Sequence, residues 1–197
     1  MTKLSWPAPE RNKGPILEVL ERVLPRKGTL LEISSGTGQH AVHFARHLPD
    51  LVVQPSEIDP ENLASIRAWV KEVALPNLRE PLVIDVRADW GVDRVEAVFN
   101  ANMIHIAPWE CALALFEGVG RVLARDGVFV LYGPFRISGA HTAPSNETFD
   151  QSLKSRDERW GVRDIDDVLP LARDAGLLLR ERVAMPANNQ CLVFARS

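Results

Sequence analysis

Cysteine is scarce in this chain: Cys111 and Cys191 are the two in 197 residues. So few, so far apart, make neither a disulfide framework nor a metal site by spacing. Both read as small buried apolar residues in a reducing compartment, with the cytoplasm as the default. Also missing is any apolar run of bilayer-spanning length, so no membrane partner is expected. Met1 to Gly14 is polar and interrupted by prolines, unlike the apolar core of a signal peptide. A surplus of positive charge is lacking as well. Twenty-three Lys and Arg stand against 26 Asp and Glu, a net charge of -3, which disfavours a nucleic-acid partner because phosphate binding calls for a basic face. What is present, 46% hydrophobic and 25% charged residues, is the balance of a globular chain with a sizeable core. The length fits one domain.

Strands and helices alternate along the chain. Ile16, Leu17, Leu20, Val23 and Leu24 recur at helical spacing, giving a first helix with Pro15 at its start, closed by Pro25 and Gly28. Thr29 to Ile33 reads as a strand, Ser34 to Gly38 as a tight turn, and Ala41 to Leu48 as a helix. A second unit runs from Leu51 through Glu57, with Asp59 as N-cap and Pro60 at the first helical position. Strands are expected at Pro81 to Asp85, Val95 to Asn100 and Gly127 to Tyr132, with a helix started by Pro108. The pattern lapses from Gly133 to Gly161, where at most a short helix around Phe149 to Leu153 is legible. Segments of that length without periodicity are usually functional lids or disordered loops. Asp164 caps a further helix, which Pro170 is expected to kink or delay. Leu177 to Val183 and Gln190 to Ala195 form an antiparallel hairpin. The whole predicts an α/β fold, a doubly wound and mainly parallel seven-stranded sheet with helices on both faces and a C-terminal hairpin. We read one domain over 1–197, with an N-terminal helical extension at 1–27 and an insert at 134–162.

The turn Glu32-Ile33-Ser34-Ser35-Gly36-Thr37-Gly38-Gln39-His40-Ala41 carries the chemistry. Glycines there let backbone approach a ligand at a helix N-terminus. Gly36, Gly38 and Ala41 also satisfy a dinucleotide fingerprint, with Glu57 near the distance of a ribose-binding acid. An NAD(P)-dependent oxidoreductase is therefore a rival reading. Charge favours another ligand. A dinucleotide places a pyrophosphate over the turn, beside Glu32, and like charges there are unfavourable. S-adenosylmethionine has no phosphate and carries a sulfonium, an ammonium and one carboxylate. Glu32 can attract the ammonium or brace the turn, Glu57 can accept the ribose hydroxyls, and Asp85 (or Asp89) can accept the adenine amine. These acids fall at three consecutive strand ends, the edge where ligands of such sheets bind.

Here the chain resembles the class I methyltransferases, and more narrowly a family related to human methyltransferase-like protein 26. The resemblance rests on Glu32 to His40, Gln54 to Asp59, Asn100 to Trp109, Trp160 to Asp164 and the opening Pro9 to Leu17. It implies a Rossmann-like fold and S-adenosylmethionine as cofactor, with S-adenosylhomocysteine as product; it supplies no acceptor. Ser34 stands where the broad class has its first glycine, and a change in local geometry is expected there.

Ile58 follows Glu57 and joins the cofactor contacts, with Ser34, Gly36, Gly38 and Asn100. Asn100 and Asn102 can orient an acceptor or hold the ammonium. His105 is the candidate general base, since its reference pKa lies near neutrality; its alternative is a packed histidine. His40 is either a cofactor contact or helix-start packing. Arg11 and Asn12, read as preceding the first helix, can fold over the cofactor, with Arg11 reaching a carboxylate; the alternative is a surface arginine. Tyr132 and Trp160 are expected to line the acceptor pocket, and Phe135 to Trp160 to select the acceptor. The expected reaction is in-line methyl transfer to a small molecule. A non-catalytic S-adenosylmethionine-binding module and a protein or RNA methyltransferase are the other readings.

Overall fold

Each apolar stretch of the first 134 residues is followed by an amphipathic one, and the chain winds accordingly. In the computed structural model, which describes residues 3–196, β1 (Gly28–Ile33), β2 (Leu51–Glu57), β3 (Leu82–Val83), β4 (Val95–Ala101) and β5 (Leu123–Pro134) lie parallel. β6 (Arg136–Ile137) and β7 (Ala140–His141) form a separate small hairpin. β8 (Leu177–Met185) and β9 (Asn189–Arg196) complete the main sheet, with β9 antiparallel to both neighbours. The order is β3-β2-β1-β4-β5-β9-β8. Chain direction across the sheet reverses at β1, which lies between β2 and β4, so the place of the ligand crevice in such sheets is beyond the C-terminal ends of β1 and β4.

Alternation along the strands sorts residues to the two faces. Leu30, Val53, Phe99 and Val130 pack with α1 (Pro7–Val23), α2 (Gln39–His47) and α3 (Pro60–Val73). Leu31, Ile33, Val98 and Phe129 pack with α4 (Trp109–Val122) and α6 (Ile165–Asp174). Full burial of such side chains contributes about 1.5–3 kcal/mol each, and both layers are continuous. Cys111 and Cys191 are buried thiols in these layers. Among the described residues no helix is long and apolar enough to cross a membrane.

Several expected boundaries move. The first helix begins at Pro7, not near Pro15, so Arg11 and Asn12 lie within it. Pro7 suits the first helical position, and burial of Ile16, Leu17, Val19 and Leu20 holds the helix together past Pro15. Pro170 does not delay α6, which starts at Ile165 under an Asp164 cap accepting from Asp166 N. Segment 134–162 carries β6, β7 and an eleven-residue helix α5 (Pro144–Lys154), where only a short helix was legible. Pro144 opens α5, and Asn146, Asp150 and Leu153 bury one side of it. That stripe is mostly polar, which is why apolar periodicity did not reveal it.

Candidate functional site

The turn after β1 is a run of left-handed backbone. Ser34, Gly36 and Gly38 have φ of 55°, 56° and 91°. Serine holds at position 34 a positive φ that glycine adopts freely, at a steric cost. Gly36 and Gly38 are required twice over. A methyl group on Gly36 would stand 3.2 Å from the Trp6 ring, and one on Gly38 3.1 Å from Ile66. Gly38 is the N-cap of α2.

The three acids do not share one environment. Glu57, buried at the tip of β2, accepts Gly36 N at Oε2 (2.8 Å) and Ile58 N and Asp59 N at Oε1 (2.8 and 3.2 Å). Each carboxylate oxygen accepts about two hydrogen bonds, so Oε2 retains one acceptor position and Oε1 none. The expectation that Glu57 takes both ribose hydroxyls reduces to one, unless the turn rearranges. Glu32 lies beneath the turn on the α2 face, fully buried. Its Oε2 has no partner among the described residues, and burial pushes its carboxyl up to about 8. His40 Nδ1 is 3.7 Å from Glu32 Oε1, but burial holds His40 down to about 3. Both groups are neutral near pH 7, so the contact is not an ion pair. Asp85 lies two residues beyond β3, half-buried, its carboxylate gripped by Arg87. That arginine also holds its pKa below the usual range. Ile58 is exposed beside Glu57.

At the tip of β4, Asn100 pairs with Ile33 of β1. Its Nδ2 donates to Ile33 O at 2.9 Å, while its buried Oδ1 has no partner among the described residues. Asn102 takes a φ of 63° and donates its amide to Tyr132 O at 2.9 Å. The next turn, Met103–His105, carries the histidine expected to act as a base. Its surroundings fit the alternative, a packed histidine. His105 is fully buried, and its Nδ1 accepts Arg163 N at 3.2 Å. The Nδ1 lone pair is thus engaged, which assigns the hydrogen to Nε2, a buried atom with no partner among the described residues. Burial depresses its pKa to about 3. The ring is a bolt: His105 O accepts Gly161 N at 2.9 Å, and Arg163 donates to Ile104 O and Ala107 O. Gly133 makes room for it, because a methyl there would stand 2.4 Å from Nε2. Trp160 is half-buried beside this junction. The structure therefore joins the glycine turn, Glu57 and Asn100 at the crevice, leaves Asp85 to its side, and gives His105 to the support of segment 134–162.

Residues 3–196 match the family described as "Protein of unknown function (DUF938)". The chain belongs to that family. Among solved structures it is similar to CalO1, a methyltransferase of calicheamicin biosynthesis in its SAH-bound form, at 18% identity and a TM-score of 0.76, covering 95% of this chain and 54% of that one. It is similar to the mitomycin 7-O-methyltransferase MmcR at 13% identity and 0.82, covering 96% and 54%. An O-methyltransferase family protein from Burkholderia thailandensis matches at 15% and 0.83, covering 96% and 57%. The chain spans a little over half the length of each of these three. At such identities the likeness shows the fold, that of the Rossmann-like class I methyltransferases.

The opening of the DUF938 chain reaches this site. Asn12 Oδ1 meets His40 Nε2 at 2.7 Å, and Asn12 also bonds the Tyr132 hydroxyl, whose pKa is raised by burial. Tyr132 is buried against Cys191 on β9 rather than lining an open pocket. Arg11 is exposed. Sequence reasoning missed Trp6 and Gln39. Gln39 is the first residue of α2 and binds both peptide groups of Trp6. A polar residue directly after Gly38, facing a Trp-Pro start, is a signal visible only once the pairing is known. Trp90 is buried against Gly118 of α4.

Proposed function

We propose that this chain binds S-adenosylmethionine at the crevice and transfers its methyl group to a small-molecule acceptor. One observation carries the reading. Two buried acceptors, Glu32 Oε2 and Asn100 Oδ1, lack partners at the tips of adjacent strands β1 and β4. Buried polar atoms are nearly always satisfied, and a ligand ammonium at the strand tips would satisfy one of the two, which leave opposite faces of the sheet. The rival dinucleotide is disfavoured by the same geometry. Its pyrophosphate would take the Gly36 amide, which Glu57 already occupies, and would lie beside that carboxylate.

When bound, the sulfonium supplies an already activated methyl group. The chain's own residues then bind, align and exclude water. Unpaired amides of the first turn of α2 hold the ligand carboxylate, Glu57 Oε2 accepts one ribose hydroxyl, and Ile58 offers an apolar face to the base. Asp85 reaches the adenine amine only by exchanging Arg87. Asn102 and Trp160 face the acceptor, which segment 134–162 selects. Burial makes His105 a weak base, which favours an acceptor whose nucleophile is already unprotonated near neutrality. We extend the proposal to a single domain over 1–197, a cytoplasmic location, no nucleic-acid partner and the narrower kinship with methyltransferase-like protein 26.

Thermal unfolding with S-adenosylhomocysteine and with NAD tests this. A ligand at a hundredfold its Kd adds about 2.7 kcal/mol of stability, so the homocysteine compound should raise Tm while NAD leaves it unchanged. A rise with NAD alone would overturn the proposal. Tight binding without turnover across a broad acceptor panel would instead favour the non-catalytic module.

A further inference from the structure

We propose that Trp6 is a cofactor-binding residue, carried over the glycine turn on a strap of residues 3–12 that Gln39 holds in position; this rests on the S-adenosylmethionine reading above. The strap is fastened at both ends. Leu4 N donates to Ser65 Oγ at 2.8 Å, and Ser65 Oγ donates in turn to Thr37 O of the glycine turn at 2.9 Å. Trp69 Nε1 donates to Leu4 O at 3.2 Å, and Lys3 Nζ lies 4.2 Å above the Trp69 ring. At the far end Asn12 joins His40 and Tyr132.

Gln39 closes the middle. Its Oε1 accepts Trp6 N at 2.6 Å and Thr37 Oγ1 at 2.8 Å. Its Nε2 donates to Trp6 O at 3.2 Å and to Glu10 Oε2 at 2.9 Å. A side-chain amide has two donor hydrogens and two acceptor positions, and all four are used, three of them on the strap. The amide pairs with residue 6 as a neighbouring strand would. The result is an indole beside Gly36, 3.2 Å from where a methyl group on that residue would stand, yet 46% exposed.

An exposed indole is an uncommon thing to fasten so firmly. The ring stands beside Gly36, whose amide is tied to the Glu57 carboxylate, at the strand tips where Glu32 Oε2, beneath the turn, and Asn100 Oδ1 lack partners. An aromatic face attracts a cation and excludes water. Both properties fit a ligand carrying an ammonium at this end. Trp6 thus forms a wall of the site, and Gln39, which acts through it, is a positioning residue.

Calorimetric titration of the full chain with S-adenosylhomocysteine tests the inference on wild type, Trp6→Ala, Trp6→Phe, Gln39→Ala and the Trp6→Ala/Gln39→Ala pair. Trp6→Ala should weaken binding about tenfold, in line with the loss of one aromatic contact to a cation, and Trp6→Phe by no more than about threefold. Gln39→Ala should weaken binding too, and the double variant should be no weaker than the weaker single, since groups acting through one contact are non-additive. Wild-type tryptophan emission should change on titration, and Trp6→Phe should lose that change. Unaltered affinity of Trp6→Ala in a protein that binds as wild type overturns the role of Trp6 alone. Additive effects overturn that of Gln39. Absence of binding to wild type overturns the methyl-transfer reading and this inference together. Trp6 is half-exposed and outside both core layers, so its variants test the site even where Gln39→Ala unfolds.

Discussion

Glu57 Oε2 accepts the amide of Gly36 at 2.8 Å, so the acid at the tip of β2 and the turn at the tip of β1 form one unit. Ligand binding and turn stability are therefore coupled through a single carboxylate. Glu57→Ala should lose three charge-assisted hydrogen bonds and destabilise the fold by about 2–4 kcal/mol, while abolishing measurable affinity for the adenosyl ligand. Urea unfolding paired with calorimetry checks both. Unchanged affinity would remove Glu57 from the site.

Ser34 bears a strain that its neighbours do not. A left-handed φ costs a non-glycine residue about 1–2 kcal/mol, and glycine returns about 0.5–1 kcal/mol of that through its greater unfolded-state entropy. Ser34→Gly should therefore stabilise the protein by about 0.5–1 kcal/mol, seen as a higher urea midpoint with the same slope. A lower midpoint would mean that the serine hydroxyl makes a contribution larger than the strain.

Glu32 links the ligand to protons. With its carboxyl raised by burial from 4.5 to about 8, it is protonated in the ligand-free protein at pH 7. A cation placed beside it favours the charged form, so binding should release a proton. Affinity should rise as pH increases from 6.5 to 8. Titrations in buffers of different ionisation enthalpy count the proton directly, and Glu32→Gln should abolish the release. Proton uptake on binding would contradict the assignment.

Stability should also pass through a maximum near pH 6.5. His40 and His105 are depressed by burial from 6.5 to about 3. Below pH 6.5 the unfolded chain therefore takes up protons that the folded one refuses, and stability falls as pH drops. Glu32 works in the opposite sense: between 4.5 and about 8 the folded state retains a proton the unfolded chain has released, so stability falls as pH rises. Each group contributes up to about 1.4 kcal/mol per pH unit. With His43, also held down to about 4, three histidines outweigh one carboxyl below 6.5, and the carboxyl dominates above it. Urea midpoints at pH 5, 6.5 and 8 test this, and NMR should show His105 not titrating above pH 4. A His105 resonance that titrates near 6.5 would restore it as a base.

Sequence periodicity located the sheet and its hairpin because the central strands hold short apolar runs, as at Val128 to Leu131, and the last strands alternate or follow a turn. It located the glycine turn because the glycines adjoin a strand end. It could not show that Glu32 lies under that turn and Glu57 caps it, since both are simply acids at strand ends; burial separates them. His105 misled for the same reason. Its Nδ1 is occupied by an amide 58 residues away, a relation without local signature. Pro15 hid the true start of α1, whose first half lacks an apolar stripe and is held by polar ties to α2. The Trp6–Gln39 pairing spans 33 residues and had no motif to announce it.

The central claim is that the crevice at the tips of β1, β2 and β4 receives an adenosyl ligand with a cationic end. A crystal structure grown with S-adenosylhomocysteine tests it most directly. The account predicts the ammonium within hydrogen-bond reach of Glu32 Oε2 or Asn100 Oδ1, and a ribose hydroxyl on Glu57 Oε2. A ligand bound elsewhere, or a crevice empty at saturating ligand, would contradict it.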